Sequence, residues 1–187
     1  KLLPSFVGKR FSFPKSLYAV HDAIRFFVAD KPNALILDFF AGSGTTMHAL
    51  NLLNAEDGGH RRCIMVTNNE VSADETKMLK DKGYQPGDEE WEKLGIAHYV
   101  TWPRTVCSIE GHDVNGKQLK GDYLGSEPPM HMSDGFRANA AFFKLGFLNP
   151  TAVSLGMHFS EMLPTLWLKT GAKGKCPELS GKQVPDM

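Results

Sequence analysis

Asp38-Phe39-Phe40-Ala41-Gly42-Ser43-Gly44-Thr45-Thr46 brings a carboxylate, two aromatic rings and two closely spaced glycines into one short stretch. Gly42 and Gly44 permit positive φ and a close approach of a ligand to the backbone. Asp38 offers its carboxylate to a cationic or hydroxyl-bearing group. The chemistry is narrowed by what is missing. A phosphate-binding loop carries Lys before its Ser or Thr, whereas Gly44 is followed directly by Thr45. A dinucleotide fingerprint has a third glycine three positions after the second, and Met47 stands there. The loop therefore suits a nucleotide-type ligand that is itself cationic. A second carboxylate, Glu70, closes Cys63-Ile64-Met65-Val66-Thr67-Asn68-Asn69-Glu70. It lies about 25 residues past the loop, where a parallel-sheet fold places an acid for ribose hydroxyls. Asn68 and Asn69 are alternatively turn formers.

These residues need elements to hold them. The apolar run 34–37 predicts a strand entering the loop, and 47–53 a helix leaving it, whose first N–H groups lack intrahelical partners. Residues 63–70 predict a second, buried strand that ends in Glu70. Upstream, Pro14 suits the first turn of a helix, with Ser12 or Ser16 as cap. Leu17, Val20, Ile24 and Phe27 give that helix an apolar face, and Asp30-Lys31-Pro32 ends it. Downstream, residues 72–82 read as a helix capped by Ser72 or Asp74 and stopped by Gly83. A turn at 85–88 and a short helix at 89–94 follow. Residues 115–132, rich in Gly, Pro and polar side chains, read as a long functional or mobile loop. Residues 142–148 predict an aromatic-rich strand. Asn149-Pro150-Thr151 opens a last helix with Leu155, Phe159, Met162, Leu163 and Leu166 on one face, which Pro164 should kink or divide. Gly171-Ala172-Lys173-Gly174-Lys175 is a flexible basic exit.

The loop sequence resembles motif I of amino-group DNA methyltransferases, in the version with Phe39 found in type III restriction-modification Mod subunits and similar adenine methyltransferases. Phe11-Ser12-Phe13-Pro14-Lys15-Ser16-Leu17 resembles motif X of that family, and the segment ending at Glu70 resembles motif II. Residues 95–111 and the strand at 142–148 also resemble these enzymes. The order X, I, II is that of the β class. The resemblance implies an α/β fold, a partial Rossmann-like AdoMet-dependent methyltransferase domain with an inserted loop-rich region. It would comprise residues 1–112 with the three motifs, an insertion at 113–135, and a closing strand and helix at 136–187. The implied cofactor is S-adenosyl-L-methionine (AdoMet), which the cationic-ligand reading of the loop also favours. Asp38 would take its amino group, the amides of residues 41–45 (Ala41, Gly42, Ser43, Gly44, Thr45) would line it, and Asn69 and Glu70 would lie at its ribose, with Glu70 on the hydroxyls. Phe13, Phe39 and Phe40 would pack near it, with Lys15 near its carboxylate. Trp102 and Arg104 are candidates for stacking on a base or contacting phosphate; the alternative is a core Trp and an ion-paired Arg.

The family's catalytic Asp-Pro-Pro-Tyr motif is not found. Glu127-Pro128-Pro129-Met130 lies on the wrong side of motif I, follows a polar turn and lacks the stacking aromatic. No catalytic residue is assigned, and the chain, which starts at Lys1, reads as a C-terminal portion whose N-terminal catalytic segment is missing. The expected activity of the complete enzyme is direct methyl transfer to adenine N6 of a base flipped from duplex DNA, with the portion alone inactive. Other readings are a truncated paralogue serving as an assembly module, and a cytosine-N4 or RNA methyltransferase. Expected protein partners are a second copy or a restriction subunit.

The 187 residues suffice for one domain with a sizeable core. Cys63, Cys107 and Cys176 form no CxxC pair, and the seven histidines form no ligand cluster, so no metal is expected. No membrane span or secretory signal is read, which by default implies a cytoplasmic protein. The net charge of zero argues against a stand-alone nucleic-acid binder. Lys9, Arg10, Lys15 and Arg25 nevertheless make one end basic, as do Lys169, Lys173, Lys175 and Lys182 at the other, around an acidic middle.

Overall fold

The computed structural model describes residues 2–8, 11, 13–126 and 128–179. The expectations on Lys9, Arg10, Ser12, Glu127 and Lys182 lie outside them. Two compact units are formed, Lys1–Phe142 and Phe143–Met187.

The first unit mixes helices with a small parallel sheet. Helix α1 (Leu3–Val7) buries Leu3, Phe6 and Val7. Helix α2 (Leu17–Val28) starts where the Ser16 hydroxyl accepts from the Ala19 amide. Pro14 therefore stands before the cap and outside the first turn where it was expected. Strand β1 (Leu35–Asp38) leads through the glycine loop into helix α3 (Thr45–Asp57), and strand β2 (Arg62–Met65) follows. The strands pair in parallel, Leu35 opposite Arg62 and Asp38 opposite Met65. Two buried residues join α2 to α3. His21 bonds Glu56 at 2.9 Å. Arg61 donates to the carbonyls of Val28 and Ala29, which end α2, and to Asp57 of α3.

Helix α4 (Ala73–Asp81) is capped by Ser72, whose hydroxyl accepts from the Glu75 amide. Helix α5 (Glu89–Glu92) is short. A π-helical turn, Ala97–Thr101, then runs straight into helix α6 (Trp102–Glu110). Residues 112–138 hold two isolated antiparallel bridges, His112 to Gln118 and Asp122 to His131. Leu119, Tyr123, Met132 and Phe136 from this stretch enter one core with Phe6, Leu17, Ala49, Leu52, Val100 and Cys107. The stretch expected to be a mobile loop is therefore part of the core. Its regular structure is sparse, but its apolar side chains are anchored.

Strand β2 is not buried as expected, and β1 is open as well. Leu35 is 55% exposed, and Leu37 and Ile64 are each 50% exposed. The register puts these three on the same face.

In the second unit, residues 143–148 form no strand; Leu145 and Phe147 are exposed. A strand needs a partner for its backbone groups, and no described residue supplies one here. Asn149 caps helix α7 (Pro150–Ser154) by accepting from the amides of Thr151 and Ala152. The chain turns at 155–158, and helix α8 (Phe159–Lys169) contains Pro164 without dividing there. The break expected at Pro164 thus falls earlier, around Gly156 and His158, both at positive φ. Leu155, Phe159 and Leu166 of the expected apolar face are exposed.

Candidate cofactor-binding site

The loop between β1 and α3 is shaped by hydrogen bonds at both ends. Asp38 Oδ1 accepts from the Phe40 amide at 3.0 Å, and Oδ2 from the Thr46 hydroxyl at 2.6 Å. The carboxylate thus spans the turn and keeps lone pairs free on both oxygens. The Ala41 amide donates to the Val66 carbonyl, tying the loop to the end of β2. Gly42 and Gly44 have φ of 49° and 72°. A Cβ on Gly44 would come within 3.2 Å of the Thr101 methyl group, so glycine is needed both for the backbone conformation and for the fit against Thr101.

The underside of the loop is held by one stretch of chain. Thr101 donates its hydroxyl proton to the Gly42 carbonyl. One turn further on, Arg104 Nη1 donates to the Thr45 hydroxyl at 2.7 Å, the Ser43 carbonyl at 3.1 Å and the Ser43 hydroxyl at 3.2 Å. Its Nε–H points to Nδ1 of His48 at 3.4 Å. That donor requires His48 Nδ1 to accept, so Nε2 carries the proton and donates to the Tyr123 hydroxyl at 2.9 Å. Burial, with the Arg104 charge beside it, holds the His48 pKa well below the ordinary value, and the imidazole is neutral. Burial also lowers Arg104 to about 10, which leaves it charged at neutral pH.

The expected ligand residues fall into three groups. Ala41, Gly42, Ser43, Gly44 and Thr45 come together with Asp38 in the loop. Among the described residues, the Gly42, Ser43 and Thr45 amides have no hydrogen-bond partner. Phe39, Phe40 and Phe13 are 62%, 88% and 87% exposed, bare aromatic surface on and before the loop. Glu70 is exposed beyond the end of β2, while its own carbonyl accepts from the Ile96 amide. Lys15 is exposed and borders an apolar cleft of about 570 Å³ between α2 and Ile36 of β1.

Two side chains expected to face a ligand are occupied internally. The Asn69 amide donates to the Glu92 carbonyl and carboxylate and accepts from the Ala97 and His98 amides. It clamps the end of β2 to the π-helical turn. Arg104, expected to reach a base or a phosphate, is 1% exposed and bonds the loop from beneath. Trp102 is half-buried and packs with His98 around Phe142, at a ring separation of 5.6 Å. Sequence reasoning missed Thr101, His48 and Tyr123. None carries a motif, and Tyr123 lies in the stretch read as a loop.

No group of His, Cys, Asp and Glu that could hold a metal occurs among the described residues. Burial and the nearby Asp38 charge push the Cys63 thiol up to about 12.

A parallel strand ending in Asp38, a glycine turn and a helix start make up an α/β unit, with Glu70 beyond the end of the second strand. Residues 7–108 match the family described as DNA methylase; that is more than half of this chain, and the chain belongs to that family. It is similar to restriction-modification methyltransferases. The type II methyltransferase M.KpnI of Klebsiella pneumoniae is 50% identical over 64 residues, 34% of this chain and 15% of that protein. The Mod subunit of the type III restriction-modification enzyme StyLTI of Salmonella typhimurium is 39% identical over 89 residues, 48% of this chain and 13% of that subunit. The EcoPI Mod subunit of Escherichia phage P1 is 39% identical over 78 residues, 42% of this chain and 12% of that subunit. The matched stretches thus span 12 to 15% of these relatives.

Proposed function

We propose that the first unit is the cofactor-binding part of a Rossmann-like, AdoMet-dependent DNA methyltransferase. The observation that carries this reading is the loop: a carboxylate and partnerless amides share one rigid turn in a member of the DNA methylase family. The residues present fit AdoMet. Asp38 would accept from its amino group, the amides of Gly42, Ser43 and Thr45 would donate to its polar atoms, and Glu70 would accept from its ribose hydroxyls. Phe13, Phe39 and Phe40 would shield it from water. When bound, AdoMet supplies an electrophilic methyl group on a sulfonium. The contribution of this chain is to orient that group, so its share of the rate enhancement is positional.

By the kinship with Mod subunits, the substrate of the complete enzyme is adenine N6 in duplex DNA, extruded from the helix. The carbonyls and stacking aromatic that would hold the base are assigned to an N-terminal catalytic segment. Pro128 and Pro129 are exposed, and Met130 packs on the core instead of presenting a ring to a base. The uncovered sheet face favours a companion segment as well, since parallel strands are normally covered on both faces. We therefore expect the chain to bind AdoMet weakly and not to methylate DNA unaided.

Ligand-observed NMR with AdoMet tests the cofactor reading, because it detects weak binding. Saturation transfer to AdoMet is expected from the folded chain and is expected to fall at least tenfold in Asp38→Asn, a loss typical of a charged hydrogen bond. Transfer that is the same in Asp38→Asn would remove Asp38 from the site. Methylation of duplex DNA by the purified chain would refute its expected inactivity.

A further inference from the structure

Two arginines of the first unit are buried, and their surroundings differ. Arg61 has Asp57 as a counter-charge, with Nη2 to Oδ2 at 2.9 Å. Arg104 is as deeply buried, and among the described residues it forms no ion pair; its partners are Ser43, Thr45 and His48, all neutral. Taking an ion out of water costs several kcal/mol, and an apolar side chain of similar size commonly serves the fold as well. The charge also occupies a specific place. The groups it bonds belong to Ser43 and Thr45, whose amides have no partner among the described residues. The only acid on the loop, Asp38, is at its other end and already accepts from Phe40 and Thr46. The loop thus has a negative end and a positive underside, and among the described residues no acidic side chain pairs with the Arg104 charge.

We propose that Arg104 is a positioning residue whose buried charge makes the Ser43–Thr45 side of the loop the seat for a ligand carboxylate. This rests on the AdoMet reading and deepens it. The amino-acid end of the cofactor would be read by its polarity, with the ammonium toward Asp38 and the carboxylate toward the amides above Arg104. The guanidinium acts through Ser43 and Thr45, fixing their geometry and setting the potential at their N–H groups. Lys15, the expected partner of that carboxylate, is exposed to water beside an apolar cleft, where its charge is screened.

The test compares AdoMet with decarboxylated AdoMet, the same sulfonium lacking the carboxylate, by ligand-observed NMR competition on the intact chain. The wild type is expected to prefer AdoMet by about tenfold or more. Arg104→Gln removes the charge and keeps an amide only near the place of Nε, and its preference is expected to fall to within about twofold. Arg104→Lys keeps the charge but loses the fork; its affinity is expected to drop while most of the preference stays. Lys15→Ala is expected to leave the preference unchanged. A folded Arg104→Gln that retains the full preference, or a preference that disappears in Lys15→Ala, overturns the proposal. So does equal weakening of both ligands in Arg104→Gln, which would make Arg104 a scaffold only. If Arg104→Gln lacks a cooperative thermal transition, Arg104→Met takes its place, with the same expected and overturning results. A wild type that binds both ligands equally leaves the AdoMet reading standing and removes this inference, whereas one that binds neither removes both.

Discussion

At the scale of single residues, the loop was legible in the sequence and its support was not. Asp38, the glycines and the hydroxyl residues are contiguous, so their chemistry can be read directly. Arg104 stands 61 positions from Ser43 and 56 from His48, and no local pattern reports a pairing at that distance. The neutral His48 at the centre of this network has a consequence for acid stability. Its folded pKa is depressed, while an unfolded histidine titrates near about 6.5. Stability is therefore complete above about pH 6.5 and declines as pH falls below it, by about 1.4 kcal/mol per pH unit while only the unfolded chain binds the proton. His112, half-buried, and His131, exposed, act in the opposite sense. The Asp113 carbonyl bonded to His112 and the Asp122 carboxylate bonded to His131 raise their pKa values, so their contributions are present at low pH and fade as pH rises. His48→Gln isolates the buried group, because glutamine does not titrate in this range and its amide can reach the Tyr123 hydroxyl as Nε2 does. Urea midpoints between pH 7.5 and pH 5 should fall less steeply in His48→Gln than in wild type. Equal slopes would mean that His48 does not stay neutral in the folded protein.

At the scale of elements, helix ends were read well because their signals are local. Ser16, Ser72 and Asn149 cap as their types predict, and Gly83 follows α4 at positive φ. Strand burial, the helix at residues 102–110 and the anchoring of the long loop depend on distant neighbours, and these are where the structure differs from the expectation. Arg61 shows how such distant support works. Its guanidinium satisfies the carbonyls of Val28 and Ala29, left open where α2 ends, and binds Asp57 of α3. Partial burial disfavours the Asp57 carboxylate, but the Arg61 hydrogen bond and the Gly59 amide outweigh it and keep its pKa below the ordinary value. Arg61→Met removes the charge and leaves two carbonyls at the end of α2 without a partner. It should destabilise the first unit by about 1–3 kcal/mol, the cost of leaving a buried acceptor unsatisfied. A shift of the denaturant midpoint equivalent to less than about 1 kcal/mol would show that water replaces the guanidinium at α2 and that the α2–α3 junction does not depend on it.

At the scale of the whole chain, the open sheet face bears most directly on the proposed companion segment. Two parallel strands of four residues each form it, and so small a sheet is marginal without cover. Leu35, Leu37 and Ile64 share one face and are half exposed or more. In the sequence the second strand reads as buried because its residue types are those of a covered parallel sheet, whereas in the structure Ile64 is half exposed. Asn51 points the same way. Its Nδ2 is buried without a hydrogen-bond partner, and the residue lines a cleft of about 1130 Å³ beside Leu35, Ile64 and Phe136, so a covering segment that brought a carbonyl there would satisfy it. If the face is bare in solution, the chain should bind an apolar dye such as ANS while folded. The triple change Leu35→Thr, Leu37→Thr, Ile64→Thr gives all three positions β-branched side chains suited to strands and should lower dye fluorescence by at least about half, with stability altered by no more than about 1 kcal/mol because the sites are exposed. Unchanged fluorescence would place the dye elsewhere and count against a bare sheet. A large loss of stability would mean that these side chains are already covered in solution, by a second copy of the chain. Those two cases separate by sedimentation, since a covering copy makes the wild type a dimer and the triple variant a monomer, whereas a face awaiting a catalytic segment leaves both monomeric.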